Sequence, residues 1–292
     1  MGIFTKFTQL REDVVGINHR NLGFIYPNND RKHFKLSDDK SLCKEHFRKH
    51  DIPTTPTYSI IESLGEMKSK WEKASNNDCL AIKPAKGRGG GGILVLKKIK
   101  EGTWETPSSK KYTQDQILGH IANIIFGVYS FGTDDKAILE YCIHNHVLFE
   151  SIYPNGIPDI RIIALQNNLV MGMIRIPTKK SDGKGNLHQG AIGVAVDIAT
   201  GTIGKGYDGE KYISKHPDSG VVFEGLQIPS WGEIISISKR TAESFPLKYL
   251  GLDIVLDNDL GPLVIEVNAR PGLEIQNVNQ VGILEQMNRI SI

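Results

Sequence analysis

LGLDIVLDNDLGPLVIEVNARPGL, residues 250–273, holds two apolar β-branched runs, Leu252–Leu256 and Leu263–Val267, around a turn built from Asp257, Asn258, Asp259, Gly261 and Pro262. Short apolar runs separated by such residues read as a β-hairpin. With the turn centred near Asp259 and Leu260, Asp253 falls roughly opposite Glu266. Glu266 and Asn268 are two residues apart and share one face of their strand. Three oxygen-bearing side chains then converge among Ile, Val and Leu, which is costly unless a cation or a proton holds them. Hard oxygen donors on a rigid hairpin suit Mg²⁺, which takes few protein ligands and completes its shell with water and phosphate oxygens. The competing reading is a hairpin whose polar face meets only water.

Outward from that hairpin, the chain of 292 residues is long enough for two compact units or one large one. A net charge of +2 gives no electrostatic ground for a nucleic-acid or anionic-membrane partner. Hydrophobic residues at 39% and charged residues at 23% are the proportions of a soluble globular protein. No apolar run approaches the ~20 residues that span a bilayer. The start, MGIFTKFTQLRED, lacks the apolar core of a signal peptide, and Lys6 stands where a myristoylation signal has Ser or Thr. Cys43, Cys79 and Cys142 are far apart and have no CxxC spacing. They are expected to be reduced packing residues of a cytoplasmic protein.

Residues 1–35 show little periodicity. A helix is expected over Asp38–His50, capped by Asp38 or Asp39 and stopped by IPTTP. Strands are expected at Thr57–Ile61, Cys79–Lys83, Ile93–Leu96, Ala137–Ile143, Ile160–Leu165, Leu169–Ile176 and Ala191–Asp197. Helices are expected over residues 64–75, 114–126 and Trp231–Ser244. The pattern is α+β and largely antiparallel.

KPAKGRGGGG, residues 83–92, lies between two of these strands. Glycine lets backbone amides turn towards a ligand and approach it closely, as phosphate loops require. Gly87, Gly89 and Gly92 match GxGxxG, but ILVL follows as a strand where a dinucleotide fold needs a helix. GxxxxGK[ST] is absent, and so are the HRD and DFG partners of a protein kinase. What is left is a strand–loop–strand flap that Lys83 enters and that carries Lys86 and Arg88. Further on, Glu140 interrupts the apolar strand ILEYCI. It either accepts from an adenine amino group or faces outward from an edge strand. Arg161 and Arg175 stand in two aliphatic strands, and buried arginines need an anionic partner: a phosphate, a substrate carboxylate or Asp159. SDGKGNLHQGAIG, residues 181–193, is a polar loop whose Asn186 and His188 either reach a ligand or are ordinary loop residues.

Lys40, Lys83, the 86–92 loop, Glu140, Arg161, Arg175, Asp253, Glu266 and Asn268 occur in the order used by the ATP-grasp superfamily. Through DDKSLCKEHF, AIKPAKGRGGGGILVL, GIPDIRIIAL, MIRIPTKKSDGKGNLHQGAIG and the hairpin, the chain resembles the RimK-type ligases. Within them it is most similar to the alpha-L-glutamate ligase-like, or sugar-transfer-associated, group over roughly residues 36–275. The resemblance implies two α+β subdomains that clamp ATP, divided as residues 1–35, 36–143 and 144–292. It implies that Lys40, Lys83 and Lys86, with Gly87, Gly89, Gly90 and Gly91, hold phosphates. Glu140 and the backbones of Tyr141 and Ile143 would read adenine, and Asp253, Glu266 and Asn268 would hold one or two Mg²⁺ (or Mn²⁺). Arg161, Arg175, Asn186 and His188 would face the γ-phosphate and the acyl group. The implied reaction joins a small-molecule or peptide carboxylate to an amine, glutamate or another amino acid among them, through an acyl phosphate. An ATP-dependent phosphotransferase and a non-catalytic nucleotide-binding module are the alternatives. The chain departs from the pattern twice. Only about 35 residues precede the first motif, and His144, Asn145 and His146 stand where a ribose-binding carboxylate is usual, with Glu150 further on.

Overall fold

The computed structural model describes residues 13–289; the reading of residues 1–12, with Gly2 and Lys6, lies outside them. Two compact units are present. The smaller takes residues 38–46 and 54–144. Its six strands are β1 (Thr57–Ile61), β2 (Cys79–Pro84), β3 (Leu94–Lys100), β4 (Thr103–Glu105), β5 (Lys111–Thr113) and β6 (Ala137–Tyr141). They form one antiparallel sheet in the order β1-β6-β2-β3-β4-β5.

Helices Leu64–Ala74 and Gln114–Ile125 share a buried core with this sheet, centred on Trp71, Leu80, Ile82, Leu96 and Trp104. The second helix follows its sequence closely. Ile117, Ile121, Ile124 and Ile125 recur at helical spacing and are buried, each contributing roughly 1.5–3 kcal/mol by leaving water. Thr113 and Gln116 form a reciprocal capping box at its start. At helix Lys40–Lys49, Asp39 Oδ1 accepts from the Ser41 and Leu42 amides and so supplies the expected cap.

Cys79 and Cys142 correct the expectation of reduced thiols, since they are disulfide-bonded with their Cα atoms 5.6 Å apart. Leu80 pairs with Tyr141 in the β2–β6 register, so the residues just outside that pair face one another. A 63-residue separation hid this pairing from the sequence. Cys43 is a free, buried thiol.

In the larger unit the described residues are 13–37, 47–53 and 145–289. Its sheet contains β7 (Asp159–Leu165), β8 (Asn168–Ile176), β9 (Ile192–Val196), β10 (Ile203–Tyr207), β11 (Tyr212–Ile213), β12 (Tyr249–Asp257) and β13 (Gly261–Asn268). The order is β11-β10-β9-β8-β7-β12-β13, antiparallel throughout. β7 and β12 are buried along their whole lengths, as strands covered on both faces must be. The deciding stretch forms the expected hairpin: Asp253 pairs with Glu266 and Gly251 with Asn268.

Where the sequence shows no periodicity, residues 17–38 form a succession of short helical turns. Val15, Phe24 and Ile25 join Tyr249, Ile275 and Ile283 in a buried cluster. Asn29, 3% exposed, fixes this segment. Its Nδ2 donates to the Tyr249 and Ala269 carbonyls at 2.7 and 2.9 Å, and its Oδ1 accepts from the Lys248 and Tyr249 amides at 2.9 Å each. Among the described residues, no helix is long and apolar enough to cross a membrane.

Candidate active site

The smaller unit gathers cations around a buried carboxylate. Glu140, on β6, is 1% exposed. Lys83, on β2, meets its Oε1 at 2.5 Å, and Lys44 meets Oε2 at 2.8 Å. The Thr55 hydroxyl donates to Oε2 at 2.9 Å. Burial works against ionisation of Glu140, but the two ammoniums outweigh it and hold its carboxyl below the ordinary carboxylate range. Burial in turn pulls Lys44 below the ordinary lysine range.

Glu140, expected at adenine, is neutralised within the protein. Its carboxylate is committed to two lysines and a hydroxyl, because a lone charge inside the sheet must be neutralised. Lys44 carries no signal in the apolar spacing of its helix. It lies one turn beyond Lys40, on the same face, and that position is where it could have been found.

Lys40 donates through its ammonium to the Gly87 carbonyl at 2.9 Å and through its amide to Ala85. Residues 86–92 join β2 to β3, as a strand–loop–strand flap requires. Gly89, Gly90 and Gly92 have φ of 60°, 77° and 76°, a region that side chains rarely adopt. Gly87 is needed for space, since a Cβ there would lie 2.3 Å from Pro84 Cγ. Gly91 bonds locally, its amide donating to Arg88. Lys86 does not point into the loop: its ammonium donates to the Asp134 carbonyl at 2.7 Å and its amide to Asp135. The Tyr141 amide donates to the Pro56 carbonyl, and Ile143 lies past the end of β6.

A second cluster sits in the larger unit. Asp253, 1% exposed, accepts from Arg161 Nε at Oδ1 and from Arg161 Nη2 at 2.8 Å at Oδ2. Arg175 Nη2 donates to the same Oδ2 at 2.9 Å, and Asn268 Nδ2 at 3.3 Å. Arg175 Nε donates to Asp159 at 2.6 Å. Register explains the gathering, since Asp253 pairs with Arg161 on one side and Glu266 on the other, while Asp159 pairs with Arg175. Two glycines make room for these side chains. A Cβ at Gly251 would lie 3.3 Å from Arg161 Cδ, and one at Gly185 would lie 3.0 Å from Asp159 Oδ2.

Burial opposes the charge of Asp253, yet Arg161 and Arg175 outweigh it and hold its carboxyl low. Asp159 goes the other way: burial, with the Asp253 charge adding to it, pushes it up to about 6 against the pull of Arg175.

Asp253, expected as a metal ligand, is paired with two arginines within the protein. Both oxygens are taken by guanidiniums and by the Asn268 amide, so an ion at Asp253 would meet two positive charges. Among the described residues no group of three His, Cys, Asp or Glu side chains could hold a metal. Glu266 and Asn268 remain two hard-oxygen residues on one face of β13, which suits a cation with few protein ligands. Arg161 and Arg175 have Asp253 and Asp159 as anionic partners. Asn186 caps the short turn Leu187–Gln189 through Oδ1, and His188 is exposed beside Glu274 at 3.2 Å. Neither belongs to the Asp253 cluster.

The chain matches the sugar-transfer associated ATP-grasp family model across residues 19–291. It belongs to that family. The ATP-grasp fold also appears in solved structures. The biotin carboxylase domain of the 2-oxoglutarate carboxylase of Hydrogenobacter thermophilus, crystallised with MgADP and bicarbonate, superposes with a TM-score of 0.55 at 16% identity, over 94% of this chain and 49% of that one. Biotin carboxylase of Campylobacter jejuni, as a β,γ-ATP complex, gives 0.54 at 16% identity, over 88% and 46%. D-alanine–D-alanine ligase of Bacillus anthracis with ATP gives 0.51 at 13% identity, over 94% and 71%. This ATP-grasp chain thus spans about half the length of the two carboxylase chains, and at such identities the likeness establishes the fold. No curated protein matches it in sequence.

Proposed function

We propose that this ATP-grasp protein is an ATP- and Mg²⁺-dependent ligase that joins a carboxylate to an amine through an acyl phosphate. The observation that carries the reading is the set of cations at the glycine loop, with Lys40 on Gly87 and Lys83 on the strand that enters it. Glu140 pairs with the Lys83 ammonium, which is thereby positioned before the nucleotide arrives. On this reading the backbone at the end of β6, near Ile143, would meet the base.

In the reaction, a substrate carboxylate oxygen bonds to the γ-phosphorus while the bridging bond to ADP breaks. The amine nitrogen then bonds to the acyl carbon, phosphate leaves with the C–O electrons, and the nitrogen passes a proton to water. Arg161 and Arg175 each use two nitrogens on Asp253 and Asp159 and keep further N–H donors for anionic oxygens. Their work is positioning and charge neutralisation, the main sources of rate in phosphoryl chemistry. Mg²⁺, held by Glu266 and Asn268, would supply further neutralisation of phosphate charge. Closure of the glycine loop would keep water from the acyl phosphate.

One observation favours a second reading, a nucleotide-binding module without turnover: Asp253, one of three expected ligands, is wholly engaged by arginines.

The test is phosphate release from ATP and Mg²⁺ with pooled acids and amines, glutamate among them, and mass spectrometry of the products. Release of ADP and phosphate with a product equal to acid plus amine less water supports ligation. A phosphorylated product establishes a phosphotransferase instead. Binding of ATP without turnover in any pool supports the module.

A further inference from the structure

In the larger unit, a cleft of about 440 Å³ opens beside the helical turns of residues 17–38. Among the described residues its lining brings together three guanidiniums, Arg20, Arg31 and Arg270, with Tyr26 and Phe34, and no carboxylate. Two guanidiniums are already held in place. Arg270 lies over the Phe34 ring at 4.8 Å, and Arg20 Nη1 donates to the Pro271 carbonyl at 3.0 Å. Arg31 is exposed, on a short turn whose start Asp30 caps. An anion that enters the cleft meets three positive charges at once. Planar forks of N–H groups fit carboxylate and phosphate oxygens in pairs.

The cleft also adjoins the end of the hairpin. Arg270 follows Asn268 by two residues, and Asn29 pins the intervening Ala269 to the helical segment. The volume falls within the roughly 300–1,000 Å³ of small-molecule sites, so an organic ion fits it as well as a bare one.

We propose that this cleft binds an organic polyanion, its carboxylate or phosphate groups on Arg20, Arg31 and Arg270 and its body against Tyr26 and Phe34. On the ligase reading, on which this assignment rests, it is the subsite of the anionic co-substrate.

The test is isothermal titration calorimetry on the full chain, with and without a non-hydrolysable ATP analogue and Mg²⁺. Pyrophosphate probes for a phosphoryl ligand and tricarballylate for a carboxylate one. At least one probe is expected to bind saturably in the presence of the analogue. Arg31→Ala weakens that binding at least about tenfold, the worth of one charged hydrogen bond, and leaves analogue affinity unchanged, which also shows that the variant is folded. Lys83→Met does the reverse. No saturable binding of either probe, or equal losses in Arg31→Ala and Lys83→Met, overturns the proposal. Probe binding without analogue binding keeps the cleft and refutes the ligase reading, so the two failures are distinguishable.

Discussion

Glu140→Gln preserves shape and removes one charge. In the parent, Lys83 at 2.5 Å, Lys44 at 2.8 Å and the Thr55 hydroxyl at 2.9 Å surround the carboxylate. The variant leaves two ammoniums, with side chains 18% and 12% exposed, facing a neutral amide. Removing one partner of a fully buried pair costs about 3–5 kcal/mol. The lysines keep some contact with water, so the low end, about 3 kcal/mol, is expected. Urea unfolding in a Trp231→Phe background reports this unit alone, because Trp71 and Trp104 both lie in its core. At typical denaturant slopes the midpoint falls by roughly 1–3 M. There is a pH signature as well. A carboxyl held below its ordinary 4.5 contributes stability that is present above that pH and lost as pH falls through the folded value. The variant loses this acid component. A second change, Lys83→Met, should cost less when made on top of Glu140→Gln than alone, because the two are coupled. A stability change within about 0.5 kcal/mol, the usual effect of a surface substitution, would refute the view that this charge cluster holds the sheet.

Asp253→Asn leaves Arg161 without its counter-ion and should destabilise the larger unit by about 3–5 kcal/mol, read as faster hydrogen exchange across β7, β12 and β13. Unchanged exchange would show that the cluster tolerates the lost charge. Asp159 sits above its ordinary 3.8, at about 6, so the folded state binds its proton more tightly than the unfolded one. Its contribution to stability is therefore complete below pH 3.8 and lost as pH rises towards 6, by up to about 3 kcal/mol in all. Asp159→Asn should flatten that slope, and an unaltered slope would assign it to other groups. Gly87→Ala drives a Cβ into Pro84 and should cost about 1–3 kcal/mol and weaken ATP-analogue binding in calorimetry. Gly65→Ala, in helix Leu64–Ala74 with open space around it, should instead stabilise by about 0.5–1 kcal/mol, which calibrates the comparison.

The hairpin was legible because its signal is local. Alternation, a turn of Asp, Asn and Gly, and a two-residue period place Asp253 against Glu266 without outside information. The glycine flap was legible for the same reason, since strand, glycines and strand follow each other directly. What the sequence hid depends on partners remote in the chain. Arg161 and Asp253 are 92 residues apart, and only the β7–β12 register brings them together. That contact makes Asp253, expected to hold metal, the anchor of two arginines. Glu140 and its lysines follow the same logic. A carboxylate alone in an apolar strand announces that something must neutralise it, but not whether the partner is a ligand or Lys44, far earlier in the chain. The helical turns of residues 17–38 have no clear period because each is too short to show one. Their ordering comes from Asn29 and the buried Phe24 and Ile25.

Asn29 uses all four hydrogen-bonding positions of its amide, two as donor and two as acceptor, on backbone atoms of Lys248, Tyr249 and Ala269. No other side chain of that shape makes all four bonds. Aspartate has the same outline, but it would set an oxygen against two carbonyls and add a charge at a buried position. Hydrolytic loss of ammonia makes the same exchange with no change in the gene. One atom of nitrogen, outside the lining of the arginine cleft, therefore decides whether the wall carrying Arg20 and Arg31 stays fastened beside Arg270.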